Sequence, residues 1–138
     1  MERSLVLVKP DAVQRGLAGT IISRFEEIGL KLIALKMLHM NRTLAERHYA
    51  IHRDKPFFKN LVTYITSSPI VAAVFEGDNA VEVIRKTMGV TDPSKAATGT
   101  IRSDYGLDIE RNSTHGSDSR ENAAGEIRLF FRENEIFA

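Results

Sequence analysis

Strand-like and helix-like hydrophobic patterns alternate along this 138-residue chain, and their order leaves few folds open. The patterns run strand, helix, strand, two helices, strand, helix and loop, followed by a short fourth strand and a last helix. This order favours a βαββαβ arrangement with an inserted pair of helices. We therefore expect an α+β protein.

Four segments have the composition of β-strands. The first, residues 5–8, should end at Lys9, because Pro10 cannot donate a hydrogen bond to a sheet. Residues 30–40 and 70–75 are longer apolar runs. The fourth strand is expected at residues 109–114, and it leads into a histidine-containing stretch.

The helices are indicated by apolar residues at helical spacing and by residues that start or stop helices. Gly29 should end the first helix, Thr43 should cap the second and Pro56 should start the third. The next helix begins at Asp78 or Asn79 and stops at Gly89. The predicted helices cover residues 19–28, 43–52, 56–65, 79–88 and 120–126.

One domain is expected over residues 1–138, a length that buries a core without disulfides or metal. The chain has no cysteine, which excludes thiol chemistry, and its net charge of +1 gives no general surface for nucleic acid or membrane. No apolar run has membrane-spanning length, and the first residues lack the apolar stretch of a signal peptide. We expect a cytoplasmic protein in which anion binding depends on a local cluster of cations.

Residues 112–119, Asn-Ser-Thr-His-Gly-Ser-Asp-Ser, concentrate reactive side chains around one glycine. Gly116 allows a sharp turn, or a positive φ, beside His115. The three residues after Gly116 are all good N-caps for the helix that follows. A histidine is thereby held at a helix N-terminus, where backbone N–H groups favour anions. From residue types alone, His115 is a candidate nucleophile, base, metal ligand or plain loop residue.

Two further chemistries use residue types found in this sequence. His48 and His52 lie four residues apart on a predicted helix and could share a metal ion. However, Tyr49 stands where the zincin motif needs glutamate, and no third ligand is indicated. A hydrolytic triad within residues 115–118 would need three neighbours in one turn to face one another, and the chain has no G-x-S-x-G elbow.

A nucleotide site in this chain would have to use scattered cations, because neither a P-loop nor a Rossmann glycine motif is present. Lys9, Arg85 and Arg102 lie at the ends of elements or in loops. The planar guanidinium group of arginine suits phosphate oxygens. Each cation taken alone is more often a solvated surface charge, so the residues by themselves do not decide the function.

Five blocks of the sequence together resemble nucleoside diphosphate kinase. The blocks are Lys-Pro-Asp-Ala-Val-Gln-Arg-Gly at 9–16, His-Tyr at 48–49, Lys-Pro-Phe-Phe at 55–58, Gly-Thr-Ile-Arg at 99–102, and 112–119 with Glu-Ile at 126–127. They occur in order across nearly the whole chain. The Asn-x-x-His-Gly-Ser-Asp motif, with a glutamate eleven residues past the histidine, is highly specific.

The resemblance implies a ferredoxin-like fold, with a four-stranded antiparallel sheet covered by helices. It also implies ping-pong transfer of the γ-phosphoryl group of a nucleoside triphosphate, usually ATP, to a nucleoside diphosphate, which maintains NTP and dNTP pools. His115 would carry the phosphoryl group on Nδ1 between the half-reactions. Free imidazole has a pKa of about 6.5, so its neutral form is a competent nucleophile near neutral pH.

The same resemblance implies roles for the other matching residues. Glu126, supported by Ser117, would orient the imidazole, and Lys9 and Tyr49 would complete the catalytic set. Aromatic stacking accepts any base, which would give broad base tolerance. The residues that would hold phosphates and ribose are Lys9, Tyr49, Arg85, Thr91, Arg102 and Asn112. The residues that would contact the base are Phe57 by stacking and Leu61 at its border.

Nucleotides are the partners that the resemblance implies, together with further copies of the chain, since the family forms tetramers or hexamers. Neither a membrane nor a nucleic acid is required. Mg²⁺ would be the cofactor. It would have no direct protein ligand, because nucleotide phosphates and water would hold it, with Asp118 reaching it through water.

Three positions depart from the usual family pattern. Ala12 replaces a glycine after the first strand, and Thr98 replaces a frequent proline before Gly99. Gly125 interrupts the last helix, at a cost of roughly 1 kcal/mol relative to alanine. None of these changes removes a residue of the implied catalytic set.

Two rival functions make different predictions. A nucleotide- or nucleic-acid-binding regulator would keep the fold without turnover, but a pure binder has no need of both His115 and its orienting Glu126. A metal-dependent hydrolase would lose activity on chelation and would form no phosphoenzyme.

Overall fold

The structure, a computed structural model, describes residues 1–138 and arranges seven α-helices around one four-stranded sheet. The strands are β1 Glu2–Val8, β2 Lys31–Leu38, β3 Ile70–Gly77 and β4 Thr114–Gly116. The helices are α1 Pro10–Gln14, α2 Ala18–Glu27, α3 Arg42–His48, α4 Phe58–Ile65, α5 Ala80–Met88, α6 Ile101–Tyr105 and α7 Arg120–Phe130. Single 3₁₀ turns cover Ala50–His52, Pro93–Lys95 and Glu133–Glu135. None of the helices has the length and apolar character that crossing a bilayer requires.

The sheet has the strand order β2-β3-β1-β4, and every neighbouring pair is antiparallel. The expected ferredoxin-like α+β fold is confirmed. Strand β1 lies in the middle of the sheet, with β3 on one side and the three-residue β4 on the other. Because β4 is an edge strand, one side of its backbone is not paired with another strand and is open to side chains from other elements.

Strand β1 supplies apolar side chains to both faces of the sheet. Leu5 and Leu7 belong to a core closed by α3, α4 and α7, whereas Val6 and Val8 belong to a second core closed by α2, α5 and α6. All four side chains are fully buried. Successive strand residues point to opposite faces, so an uninterrupted apolar run is what a strand covered on both faces needs.

Several helix boundaries agree with the sequence patterns. Helix α2 ends just before Gly29, which has a φ of 94°, and α5 ends before Gly89, with a φ of 88°. Ser119 caps α7, because its Oγ accepts a hydrogen bond of 3.1 Å from the backbone N–H of Asn122. Helix α7 continues to Phe130, four residues beyond its predicted end.

Two predicted helix starts were wrong in detail, and a third helix starts after Asn79 as predicted but without a capping hydrogen bond from that side chain. Asn41, not Thr43, caps α3, since its Oδ1 accepts from the N–H of Leu44 at 2.8 Å. This helix ends at His48 and continues only as a 3₁₀ turn, and α4 begins at Phe58 rather than at Pro56. At the start of α5 neither expected residue caps the helix: a carboxylate from β1, Glu2 Oε1, accepts from the N–H of Val81 at 2.9 Å.

The fourth strand lies at Thr114–Gly116 and not at residues 109–114. The carboxylate of Asp108 accepts hydrogen bonds from the backbone N–H groups of Glu110 and Arg111, which folds that segment into a turn. Ser113 then adopts a positive φ of 73°, which interrupts extended backbone. Pairing with β1 begins only at the next residue.

Candidate active site

His115 lies in the middle of β4, opposite Leu7 of the central strand. Two hydrogen bonds join the end of β4 to β1. The N–H of Ser117 donates to Leu5 O at 3.2 Å, and the N–H of Leu5 donates to Ser117 Oγ at 3.3 Å. The side chain of His115 remains 25% exposed. A short edge strand therefore presents the imidazole to a cleft from a rigid backbone.

Gly116 is required for close packing and not for a positive φ. Its φ lies outside the positive range, and the residue with a positive φ in this stretch is Ser113. A Cβ on Gly116 would lie 2.9 Å from Ile84 Cγ2 and 3.1 Å from two atoms of Met88. The glycine thus lets α5 approach the strand directly beside the histidine, which corrects the sequence-based interpretation.

Glu126 returns from α7 to fix one side of the His115 ring. Its Oε1 accepts hydrogen bonds from Ser117 Oγ at 2.6 Å and from His115 Nε2 at 3.2 Å. Burial by itself raises the pKa of the Glu126 carboxyl. The hydrogen bond and charge of His115 and the hydrogen bond of Ser117 have a larger effect in the opposite direction, so the net result is a lowered pKa. The opposite ring nitrogen, Nδ1, has no hydrogen-bond partner in the protein and is not a buried atom.

Lys9 follows β1 directly, and its side chain is almost completely buried, with 6% exposure. Its Nζ donates hydrogen bonds of 2.9 Å to the backbone carbonyl of Glu110 and to Asn112 Oδ1. Burial, reinforced by the positive charge of Arg102, lowers the pKa of Lys9 to about 8. The ammonium group is therefore held by neutral acceptors in a place where its charge is costly.

Asn112 joins two separate parts of the cleft. Its Oδ1 accepts from Lys9, while its Nδ2 donates to the backbone carbonyl of Thr91 at 3.0 Å. The side chain is buried, with 2% exposure. Its position thereby connects the end of β1 to the loop after α5.

Arg102 projects from α6 into the same region. Its two terminal nitrogens donate to the carbonyls of Gly89 at 3.0 Å and Thr114 at 2.8 Å, and its buried Nε has no partner. Burial, followed by the nearby charge of Arg85, lowers the pKa of Arg102 to about 10. Arg85, on α5, is exposed and makes only a long hydrogen bond, 3.5 Å, to Gly116 O.

Lys9, Arg85 and Arg102 have no carboxylate within 4.0 Å, unlike the lysine and arginine side chains of the five Lys/Arg–carboxylate ion pairs in this chain. A buried positive charge without a counter-ion destabilises the folded protein unless an anion neutralises it. Two of the three cations are buried. Their arrangement therefore favours a polyanionic ligand, and phosphate groups have the matching charge and acceptor oxygens.

All but one of the predicted site residues line one cleft of ≈ 870 Å³. Its apolar end includes Leu61 and the half-exposed ring of Phe57. Ser117 alone among the predicted site residues does not line the cleft, since it is buried behind Glu126. The predicted site residues on the cleft wall are Lys9, Tyr49, Phe57, Leu61, Arg85, Thr91, Arg102, Asn112, His115, Asp118 and Glu126.

A model of the family described as "Nucleoside diphosphate kinase" matches residues 2–136. The chain belongs to this family. It is 64% identical over 136 residues to a nucleoside diphosphate kinase of Dehalococcoides mccartyi, covering 99% of this chain and 96% of that protein. The enzyme of Archaeoglobus fulgidus is 58% identical over 136 residues, with 99% and 90% coverage.

Solved structures agree with this assignment. The nucleoside diphosphate kinase of Aquifex aeolicus superimposes with a TM-score of 0.95 at 42% identity, covering 98% of both chains. The Halobacterium salinarum enzyme, solved in complex with CDP, gives a TM-score of 0.96 at 49% identity, covering 99% of this chain and 91% of that one. The chain is thus an enzyme that transfers phosphate between nucleotides.

The spacing of the two histidines suggested His48 only as a partner of His52 in metal binding, and the structure places it instead against His115. The rings of His48 and His115 are 4.7 Å apart and meet edge to face. Burial, followed by the charge of His115, lowers the pKa of His48 to about 3, so its ring is neutral. The spacing of His48 from Ala45, three residues earlier on the buried face of α3, is the signal that could have indicated its burial.

Tyr49 follows His48, and its ring is packed 4.7 Å from that imidazole. It is 8% exposed, and burial raises the pKa of its phenol. Tyr49 therefore faces the cleft as a neutral hydroxyl group. His48 and His52, the pair weighed as possible ligands of a shared metal, are not grouped in this way, since the cluster with metal-binding geometry combines His48 with His115 and Glu126.

Nucleoside diphosphate kinases need a divalent metal ion. Oxygen ligands are what hard divalent cations prefer, and the cleft contains no group of three carboxylates that could enclose one. Asp118 is exposed on the cleft wall, and its Oδ1 accepts a 2.6 Å hydrogen bond from Asn122. These residues fit a hard cation that is bound mainly by the substrate phosphates.

Proposed function

We propose that this enzyme transfers the γ-phosphoryl group of a nucleoside triphosphate, chiefly ATP, to a nucleoside diphosphate through a phosphohistidine at Nδ1 of His115. The observation that carries the proposal is the asymmetry of the imidazole. Nε2 is engaged by Glu126 at 3.2 Å, whereas Nδ1 has no protein partner. A neutral imidazole that donates its N–H at one nitrogen has its lone pair at the other.

In the first half-reaction, the Nδ1 lone pair forms the N–P bond as the bond from the γ-phosphorus to the β,γ-bridging oxygen breaks. The leaving diphosphate takes that electron pair. Positive charge develops on the imidazole, and the ionised carboxylate of Glu126 stabilises it through Nε2–H. The second half-reaction reverses these steps with another nucleoside diphosphate, so one site serves both substrates.

Phosphoryl transfer depends mainly on positioning and on stabilisation of negative charge. Lys9, Arg85 and Arg102 supply three cations without carboxylate partners. We assign them to the phosphate oxygens, in exchange for the neutral acceptors that Lys9 and Arg102 use in the free protein. The neutral hydroxyl group of Tyr49 and that of Thr91 are further donors, and Asn112 serves the ribose.

The base and the metal complete this assignment. Phe57, 45% exposed at the apolar end of the cleft, offers a face on which any base stacks, with Leu61 at its border. Mg²⁺ is the ion we propose, held by phosphates and water with Asp118 reaching it through water, and when bound it neutralises phosphate charge. No direct protein ligand is assigned to it.

We propose that residues 1–138 act as one domain in the cytoplasm, as a homo-oligomer of four or six chains, and without nucleic acid or membrane. Exposed Leu35 and Met37 on edge strand β2 support self-association, since they leave an apolar surface open. Sedimentation velocity tests this point, because a monomer at micromolar concentration contradicts it.

A labelling chase tests the mechanism. The protein is incubated with γ-labelled ATP and Mg²⁺, separated from nucleotide, and then given an unlabelled nucleoside diphosphate. We expect an acid-labile label on the protein that moves to the acceptor. His115→Ala should take up no label, whereas the control His39→Ala, changed at an exposed position outside the cleft, should behave as the parent.

Each rival function predicts a different result of this chase. A binding protein retains nucleotide without any label on the chain, and a hydrolase releases labelled phosphate to water. Equal labelling of His115→Ala would contradict the proposed nucleophile.

A further inference from the structure

His48 is a buried side chain whose two polar atoms have no partner. Its exposure is 8%, and neither Nδ1 nor Nε2 has a hydrogen bond in the protein. A buried imidazole without hydrogen bonds loses its hydration and gains nothing in return. The proposed phosphoryl transfer uses neither of these nitrogens, so an unused lone pair lies beside the reactive histidine.

His48, His115 and Glu126 each offer one ligand atom, and these atoms all lie within 4.8 Å of one another. Some point therefore lies within about 2.8 Å of all three atoms. A shift of under about 1 Å per side chain then gives the 2.0–2.2 Å distances of zinc to nitrogen and carboxylate oxygen. The three ligand atoms form a triangle. One of its sides, the 3.2 Å between His115 Nε2 and Glu126 Oε1, already has the length of the edge between two ligands of a tetrahedral zinc ion. All three residues line the cleft.

The chemistry of the three donor atoms determines which metal ions the site favours. Two imidazoles and one carboxylate are the ligands of open zinc sites, and imidazole suits zinc, cobalt, nickel and copper ions. Mg²⁺ prefers oxygen ligands and retains its water, so the metal ion that accompanies the nucleotide does not compete for this triangle. His48 comes from α3, His115 from β4 and Glu126 from α7.

We propose that His48, His115 and Glu126 form an inhibitory binding site for Zn²⁺. The ion takes the lone pair of Nε2 of His115, the nitrogen that now faces Glu126, and the proton of Nε2 moves through solvent to Nδ1. When that proton is on Nδ1, this nitrogen has no lone pair with which to attack phosphorus. Zn²⁺ thereby blocks phosphorylation while the nucleotide cleft stays open. Only this inhibition rests on the proposed function, since metal binding is independent of it.

Cobalt titration of the nucleotide-free, full-length protein tests the site directly. Co²⁺ in a four-coordinate nitrogen and oxygen environment has a strong visible absorption that Zn²⁺ abolishes by displacement. We expect the parent protein to show this spectrum. His48→Phe keeps a ring against Phe130 but removes one ligand, and its Kd for Co²⁺ should rise at least about tenfold.

Two further variants make the titration decisive. His52→Phe removes an imidazole of the same cleft that lies outside the triangle, and its Kd for Co²⁺ should stay within about twofold of the parent value. Glu126→Gln removes the carboxylate ligand without changing His48, which covers the case in which His48→Phe does not fold. Equal Co²⁺ spectra and affinities in the parent protein, His48→Phe and Glu126→Gln would overturn the site.

Inhibition is measured separately. Preincubation with Zn²⁺ should slow labelling of the parent protein by ATP, and a chelator should restore it. If the protein is never labelled, the proposed function fails while the Co²⁺ titration still decides the metal site. If Zn²⁺ binds through the triangle but labelling proceeds at an undiminished rate, the inhibitory role is overturned.

Discussion

Lys9 and Asn112, 103 residues apart in the chain, are joined by a buried hydrogen bond of 2.9 Å between Nζ and Oδ1. Strand β1 delivers the lysine, and the turn before β4 delivers the amide. The contact holds an ammonium group in a cleft where no carboxylate pairs with it. The positive charge that faces the substrate is therefore positioned by a neutral partner and stays available to phosphate.

Removal of the amide should disturb this arrangement. Asn112→Ala leaves Lys9 with only the carbonyl of Glu110 and leaves the carbonyl of Thr91 without its donor. Because each lost hydrogen bond to a charged group is worth about 1.5–3 kcal/mol, kcat/KM should fall at least tenfold. Steady-state kinetics with ATP as donor measure this. Unchanged kinetics would show that the amide does not position the lysine.

The lysine predicts a dependence on pH. Burial lowers the pKa of Lys9 to about 8, so the group is charged below that pH and neutral above it in the free enzyme. Because kcat/KM reports the ionisation of free enzyme, it should fall as the pH rises through about 8. In Lys9→Arg the guanidinium stays charged, so the fall should move to higher pH. An identical alkaline limb in both proteins would contradict this origin.

Base stacking predicts a loss of affinity without a loss of fold. Phe57 is 45% exposed, so Phe57→Ala should unfold at nearly the parent denaturant concentration. Stacking is worth about 1–3 kcal/mol per base, which corresponds to a roughly 5- to 150-fold rise in nucleotide Kd. Phe137→Ala, changed at a ring that is 74% exposed outside the cleft, is the matched control. Calorimetric titration with a nucleoside diphosphate distinguishes the two, and equal Kd values would refute stacking.

Two glycines of the active-site region predict opposite effects of alanine. In Gly116→Ala the new Cβ would meet Ile84 at 2.9 Å, so the free energy of unfolding should fall by about 1–3 kcal/mol. A Cβ on Gly125 meets nothing within 4 Å, so Gly125→Ala in α7 should raise it by up to about 1 kcal/mol. Urea unfolding measures both. A destabilised Gly125→Ala would show that the helix needs its glycine.

Much of the fold followed from local patterns. The run from Leu5 to Val8 predicted the first strand, and the spacing of apolar residues before Gly29 predicted α2. Local interactions decide such elements, so the sequence is enough. Helix α1 was not predicted, because its five residues are too few to show a periodic pattern.

The position of β4 and the neighbours of His48 could not be predicted, because distant partners decide both. The turn at Asp108 depends on side-chain hydrogen bonds, and pairing with β1 starts only after Ser113 has reversed the backbone. His48 is buried because α7 brings Phe130 against its ring, and the sequence of α3 contains no sign of that neighbour. Likewise, the patterns placed His115 in a turn, whereas the structure places it within a strand.

The central claim is that Nδ1 of His115 receives the phosphoryl group while Nε2 stays with Glu126. Phosphorus–nitrogen correlation NMR of the phosphoenzyme, prepared with isotope-labelled histidine and held at alkaline pH, identifies the nitrogen that is bonded to phosphorus. We predict a single phosphohistidine, bonded through Nδ1 and absent from His115→Ala. Phosphorus bonded to Nε2, or to any other residue, would contradict the account.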